Sequence, residues 1–324
     1  MQTFIQKKFK LRKTILSIFI GGLCCATISA RADCINTGIN SEGGADIICD
    51  GAGSLFDTNS THFVANNVVT VQGNNTTVQN DVYGAKSNSE NVTDNSVIIR
   101  DGSQLSAAIG GGSVFGNVTN NTVIFNNSSR ADWVYGGISN EGDAIGNIII
   151  FNDNSWATNA FGGESGNNNA TGNTVILTDS SYVNVVVAGN SNTGNATDNT
   201  VNIYDTAKVL NSLYGGRYYY SGAPSLINHD IFTGNTLNVA AAPFELSGEM
   251  ANFEHYNFTV DPAHVNSDTA LITADTIVFG TNEYNMNGGE ANTSKIQVVG
   301  IKAGQELFAD DKFVLMRATD TMSG

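Results

Sequence analysis

The chain has 324 residues, 35 of them glycine and 3 proline, with 15 basic against 30 acidic side chains for a formal net charge of −15. So acidic a surface repels phosphate backbones and anionic lipid and argues against nucleic acid as a partner. Abundant glycine among runs of Asn, Ser and Thr favours turns and polar ladders over helices, and points to an all-β chain rather than a compact enzyme.

Residues 1–32 have the layout of a secretory signal peptide: basic Lys7, Lys8, Lys10, Arg12 and Lys13, an apolar stretch from Ile15 to Ile28, and the small-residue exit Ala30-Arg31-Ala32. The stretch is short for a membrane anchor and is broken at Gly21-Gly22. Cleavage after Ala32 would leave nine basic against 30 acidic residues, a net charge of −21. It would also remove Cys24 and Cys25. Cys34 and Cys49 then remain as an even pair in an oxidising compartment, for which a disulfide is the natural expectation, contributing roughly 3 kcal/mol in the chain-entropy account. Residues 33–61 lack the repeat found further along the chain and are expected to form an N-terminal cap closed by that bond.

From residue 62 to 242 the chain repeats itself. The glycines of Tyr83-Gly84, Ile109-Gly110, Tyr135-Gly136 and Phe161-Gly162 recur with a 26-residue period, continuing at Val187-Ala188 and, one residue late, at Tyr214-Gly215. A fixed period of this length predicts one unit stacked on copies of itself, a single-stranded parallel β-helix, or β-solenoid, with 26-residue coils. In the coil from Asn121 to Gly146, Asn121–Phe125 reads as a strand and Asn126–Ser129 as a turn. Arg130–Tyr135 reads as a second strand, Gly136-Gly137 as a sharp bend, and Asp143-Ala144-Ile145 as a third strand or plain arm.

Alternation along the strands assigns the core to columns of like residues. Val97, Val123, Ile149, Val175 and Val201 form one, and Ile99, Phe125, Phe151, Leu177 and Ile203 the next, while Ile98, Ile124, Ile150, Ile176 and Asn202 between them should face outward. Asn95, Asn121, Asn147, Asn173 and Asn199, with Asn235 after an insertion, are expected to bond amide to amide as a ladder at a turn. A second polar column, Asn75, Asp101, Asn127, Asp153, Asp179 and Asp205, reads as exposed turn residues. Stacked calcium sites are the sharper alternative, and the glycine-rich nonapeptide of calcium-binding β-rolls is absent.

The echo fades backward through Val71, Asn75 and Thr77. Forward, the step from Asn199 to Asn235 is ten longer than the others, and the extra residues fall around Arg217-Tyr218-Tyr219-Tyr220, which read as a loop bulging from the rod and as the candidate recognition spot. A loop folded back over the apolar stripe is the alternative. Residues 243–324 lose the period and are expected to form irregular rungs, with strands such as Ala270–Thr273, Thr276–Phe279 and Lys295–Val299.

The units VYGGISNEGDAIGNIIIF, AFGGESGNNNATGNTVIL and VVAGNSNTGNATDNTVNI resemble the repeat-containing passenger regions of bacterial autotransporters. Ala251–Phe258 and the closing Ala303–Met316 resemble the segments between those repeats and the translocator. The resemblance covers most of the chain beyond residue 32. It implies a right-handed β-helix, secreted across the inner membrane and displayed on a Gram-negative cell surface or released. It also implies attachment to the outer membrane only through a C-terminal β-barrel, whose pattern of alternating ten-residue strands is not found before Gly324.

Catalytic chemistry is weakly represented. Gly163-Glu164-Ser165-Gly166 looks like a nucleophile elbow, but Ser165 is one of a column with Ser87, Ser113, Ser139 and Ser191, as a structural serine would be. His62, His229, His255 and His264 are scattered without zinc spacing. A β-helix lyase or hydrolase of acidic polysaccharide needs basic groups beside clustered carboxylates, yet only Arg130 and Lys208 share a column. No catalytic, cofactor or metal residue is therefore assigned. The expected function is a non-catalytic adhesin or structural surface rod, with an unidentified surface protein or glycan as partner.

Overall fold

A computed structural model describes residues 33–39, 45–50, 64–73, 76–218, 229–280, 293–302 and 308–323. Among these the chain is a parallel β-solenoid whose strands fall into sheets of 11, 9 and 4 strands, with one short 3-10 turn at Pro262–His264. In the coil that begins at Asn121 the strands are Thr122–Phe125, Arg130–Ser139 and Ala144–Ile145, one in each sheet. The second strand runs through Gly136-Gly137 instead of stopping there. Both glycines are needed for close approach: a Cβ on Gly136 would lie 2.3 Å from the Gly162 carbonyl oxygen, and one on Gly137 2.6 Å from Asn147 Cγ.

Register is kept at 26 residues per coil wherever the sequence repeats, with Val123 opposite Ile149, Ile149 opposite Val175 and Val175 opposite Val201. Both expected core columns are fully buried. Phe125 and Phe151 stack with centroids 5.0 Å apart. The intervening Ile98, Ile124, Ile150 and Ile176 are half-buried on the outer face. From Asn202 that column turns polar: Asn238, Asn257 and Gln297 each donate a side-chain amide to the residue one coil earlier, at 2.7–2.8 Å.

The corners explain the repeat phrase. Asn66, Asp94, Asn120, Gly146, Gly172, Asp198 and Gly234, each just before a ladder asparagine, all have positive φ. Only Gly, Asn and Asp adopt this conformation cheaply, which is why the phrase reads D-N, N-N or G-N before the strand. The exposed column Asp101, Asn127, Asp153, Asp179 and Asp205 also has positive φ throughout. Backbone geometry therefore accounts for these residues without a cation; Asn75 lies outside the described residues.

Coil length departs from 26 residues near both ends of the repeat array. Val69 rather than Val71 pairs with Val97, so the first coil holds 28 residues. The excess is taken up between Val71 and Val78 and in a bulge between Val78 and Asp81. The late Tyr214-Gly215 is a bulge after Val209. Beyond Asn235 one coil shrinks to 19 residues, Thr236 pairing with His255, and the next spans 40, His255 pairing with Lys295. At the N-terminal side, Asp33–Ile39 pairs antiparallel with Ala45–Asp50, which itself lies parallel to Val68–Gln72. The solenoid sheet thus begins inside the expected cap.

Candidate functional site

The asparagine ladder forms as expected, and it is larger than its sequence signature. Each of Asn67, Asn95, Asn121, Asn147, Asn173 and Asn199 donates its side-chain amide to the Oδ1 one coil on, at 2.7–3.2 Å. The same Oδ1 atoms accept the backbone N–H of the residue below at 2.9–3.0 Å. All seven asparagines through Asn235 are fully buried. A second ladder was not foreseen from the sequence: Oδ1 of Asn91, Asn117, Asp143, Asn169 and Asn195 each accepts the backbone N–H one coil on, at 2.9–3.0 Å.

The serine column is structural in geometry. Ser165 is fully buried, donates to Gly142 O at 2.8 Å and accepts from Asn168 N–H at 2.9 Å, and Ser113, Ser139 and Ser191 repeat the pattern. Its proton and one hydroxyl lone pair are engaged by backbone groups, and no histidine is among these partners.

With the first asparagine ladder and the serines turned inward, the outer face of the nine-stranded sheet carries the distinctive chemistry. Trp133, 44% exposed, lies beside Tyr135 with rings 6° from parallel, and Phe161 stacks on Tyr135 with centroids 5.2 Å apart. One column over, Arg130 covers Trp156 at 5.4 Å, and Trp156 stacks on Tyr182 at 5.8 Å. Parallel in-register strands force this arrangement, because outward side chains of successive coils sit about 4.8 Å apart. The stacked rings consume each other's faces and present edges to solvent. Arg130 and Lys208 lie in that second column on either side of Trp156 and Tyr182, so they form no joint basic site.

Beside the aromatic band, Glu164, Asn190 and Arg217 occupy successive coils. Burial raises the Glu164 carboxyl above its usual range, opposed by a 3.0 Å hydrogen bond from Asn190 and by the field of Arg217. Burial likewise raises Tyr135, with Glu164, Asp81 and Tyr83 adding to it. Tyr214 is pushed up to about 12, mainly by burial and by its 2.8 Å bond to Glu249. Phenols so shifted are poor proton acceptors at neutral pH.

Of the expected recognition residues, Arg217 and Tyr218 close the strand Lys208–Tyr218 rather than lying in a loop, because the register of the preceding coil continues through them. Arg217 lies 5.3 Å over the Tyr214 ring and Tyr218 stacks on His229. Tyr219 and Tyr220 lie outside the described residues, as does His62. The cysteine side chains also lie outside them, and no S–S bond is among the described contacts; the backbone register nevertheless sets Cys34 opposite Cys49.

Among the described residues no group of three or more His, Cys, Asp or Glu side chains could hold a metal ion, and no helix is long and apolar enough to cross a membrane. Comparison with known protein families, curated proteins and solved structures returns no match.

Proposed function

We propose that the chain is a non-catalytic surface rod, the passenger region of a bacterial autotransporter, whose consequence is adhesion. One observation carries this reading: the recurring polar residues, Asn of the ladder and Ser of the serine column, are spent on coil-to-coil hydrogen bonds, while the outward face holds an aromatic band. Residues recur here because they build length, and a rod holds its outer face away from its point of attachment. Secretion, the Cys34–Cys49 bridge and a C-terminal barrel belong to the same proposal.

The test is display. Beads coated with residues 33–324 should bind the host or neighbouring cells that uncoated beads ignore, and the DNA downstream of Gly324 should encode a β-barrel. Catalytic turnover of an acidic polysaccharide by the purified chain would overturn the reading.

A further inference from the structure

A groove of about 500 Å³ runs along the outer face beside Trp156. Its floor is Val78, Leu105 and Ala131, the inward residues of three successive coils. Its walls are the outward neighbours on either side, Gln104, Arg130 and Trp156 along one edge and Gln79, Ser106 and Asp132 along the other. Because strands cross the groove and coils repeat along it, each rung offers hydrogen-bonding groups on both walls at intervals of about 4.8 Å.

We propose that this groove binds an uncharged linear oligosaccharide lying along the solenoid axis. Three features select that ligand, and its biological use rests on the adhesive function proposed for the chain. The first is pitch: the rung spacing is close to the length of one pyranose unit, whereas an extended peptide advances about 3.4 Å per residue and would fall out of step with the walls. A peptide running across the strands also finds no free strand edge with which to pair.

Second, the wall chemistry consists of amide, hydroxyl, guanidinium and carboxylate groups, which donate and accept in the mixture that sugar hydroxyls require. Arg130 is held by Gln104 Oε1 and by the Trp156 ring, so its fork is fixed before a ligand arrives. Trp156 has Arg130 on one face and Tyr182 on the other and contributes its edge, so recognition works through hydrogen bonds rather than ring stacking. Third, Arg130 and Asp132 cancel within the groove, while the chain as a whole is strongly acidic. Anionic glycans are repelled before they reach it, and uncharged ones are not.

The chain has two tryptophans, so Trp133→Phe leaves Trp156 as the reporter. Its fluorescence is titrated with chitotriose, cellotriose, maltotriose and laminaritriose, with trigalacturonate as the anionic counterpart. At least one uncharged trisaccharide should give a saturable change. Affinity should rise from the monosaccharide to the trisaccharide and gain little from longer chains. Asp132→Ala should weaken binding about fivefold, the worth of one hydrogen bond. Ser106→Tyr should fill the groove and abolish binding with the circular dichroism spectrum and melting temperature unchanged. Failure of all four sugars, equal binding by Ser106→Tyr, preference for trigalacturonate, or a pool of random decapeptides quenching Trp156 where sugars do not would each overturn the proposal. Bead adhesion separates the two claims: adhesion that persists in Ser106→Tyr refutes the groove as the adhesive surface, and beads that never adhere refute the adhesin reading, while in both cases the titration decides whether the groove binds sugar.

Discussion

Replacing Asn147 with Ala removes the middle of the buried ladder. Four hydrogen bonds of 3.0 Å disappear: Asn121 N–H and Asn121 Nδ2 to Asn147 Oδ1, and Asn147 Nδ2 to Val118 O and to Asn173 Oδ1. At about 1 kcal/mol net each they amount to ~4 kcal/mol, and the buried Asn121 N–H, left without that acceptor, adds ~1–3 kcal/mol. An expected loss of about 5–7 kcal/mol would be a large share of a typical domain's stability. Urea unfolding with the slope monitored measures it, since linear arrays can lose two-state behaviour. Amide exchange at Val123 and Val175 locates it. Asn159→Ala, a half-exposed change on the outer face, should stay within about 0.5 kcal/mol. A loss below about 1 kcal/mol for Asn147→Ala at unchanged slope would mean that the ladder follows the stack rather than holding it.

Gly137→Ala would push a Cβ to 2.6 Å from Asn147 Cγ; it should cost about 1–3 kcal/mol in the same assay, and less on the Asn147→Ala background, where the obstacle is gone. Asp153 has φ of 50°, so Asp153→Val should cost about 1–2 kcal/mol and Asp153→Gly nearly nothing by thermal unfolding, with chelator changing neither. Glu164 has a folded-state pKa above its ordinary 4.5. Its burial penalty is absent below that value, where the carboxyl is protonated in both states, and stability is lost as pH rises through the folded pKa. Glu164→Gln should therefore melt higher than the parent near neutral pH and converge with it below pH 4.5, and a parent equally stable relative to the variant at both pH values would refute this. Mass spectrometry of non-reduced secreted material should find Cys34 and Cys49 in one bridged peptide pair; two free thiols would remove the bond.

The stack was legible because each inward position sees the same neighbours in every coil, so Val123, Ile149 and Val175 converge on one chemistry. The ladder was legible for the same reason. The second ladder was not, because only an Oδ1 is required there and Asp143 serves as well as Asn117, which erases residue identity. Outer columns are freer still: Arg130, Trp156 and Tyr182 differ in type, and only their shared planarity builds the stack. Coil length is set where strands end, so the 28-residue first coil and the 19-residue late one left no trace in spacing until the partners were known.

Asn199 and Asn235 are joined by hydrogen bonds of 2.9 and 3.2 Å, close to the 2.9 and 3.1 Å between Asn173 and Asn199, although 36 residues separate them instead of 26. The bond reports height along the axis and is blind to the length of chain in between. Text can therefore be added to the margin without disturbing the line spacing, and a foreign epitope of some ten residues exchanged for 219–228 should leave Asn199 and Asn235 bonded and the rungs above and below in register.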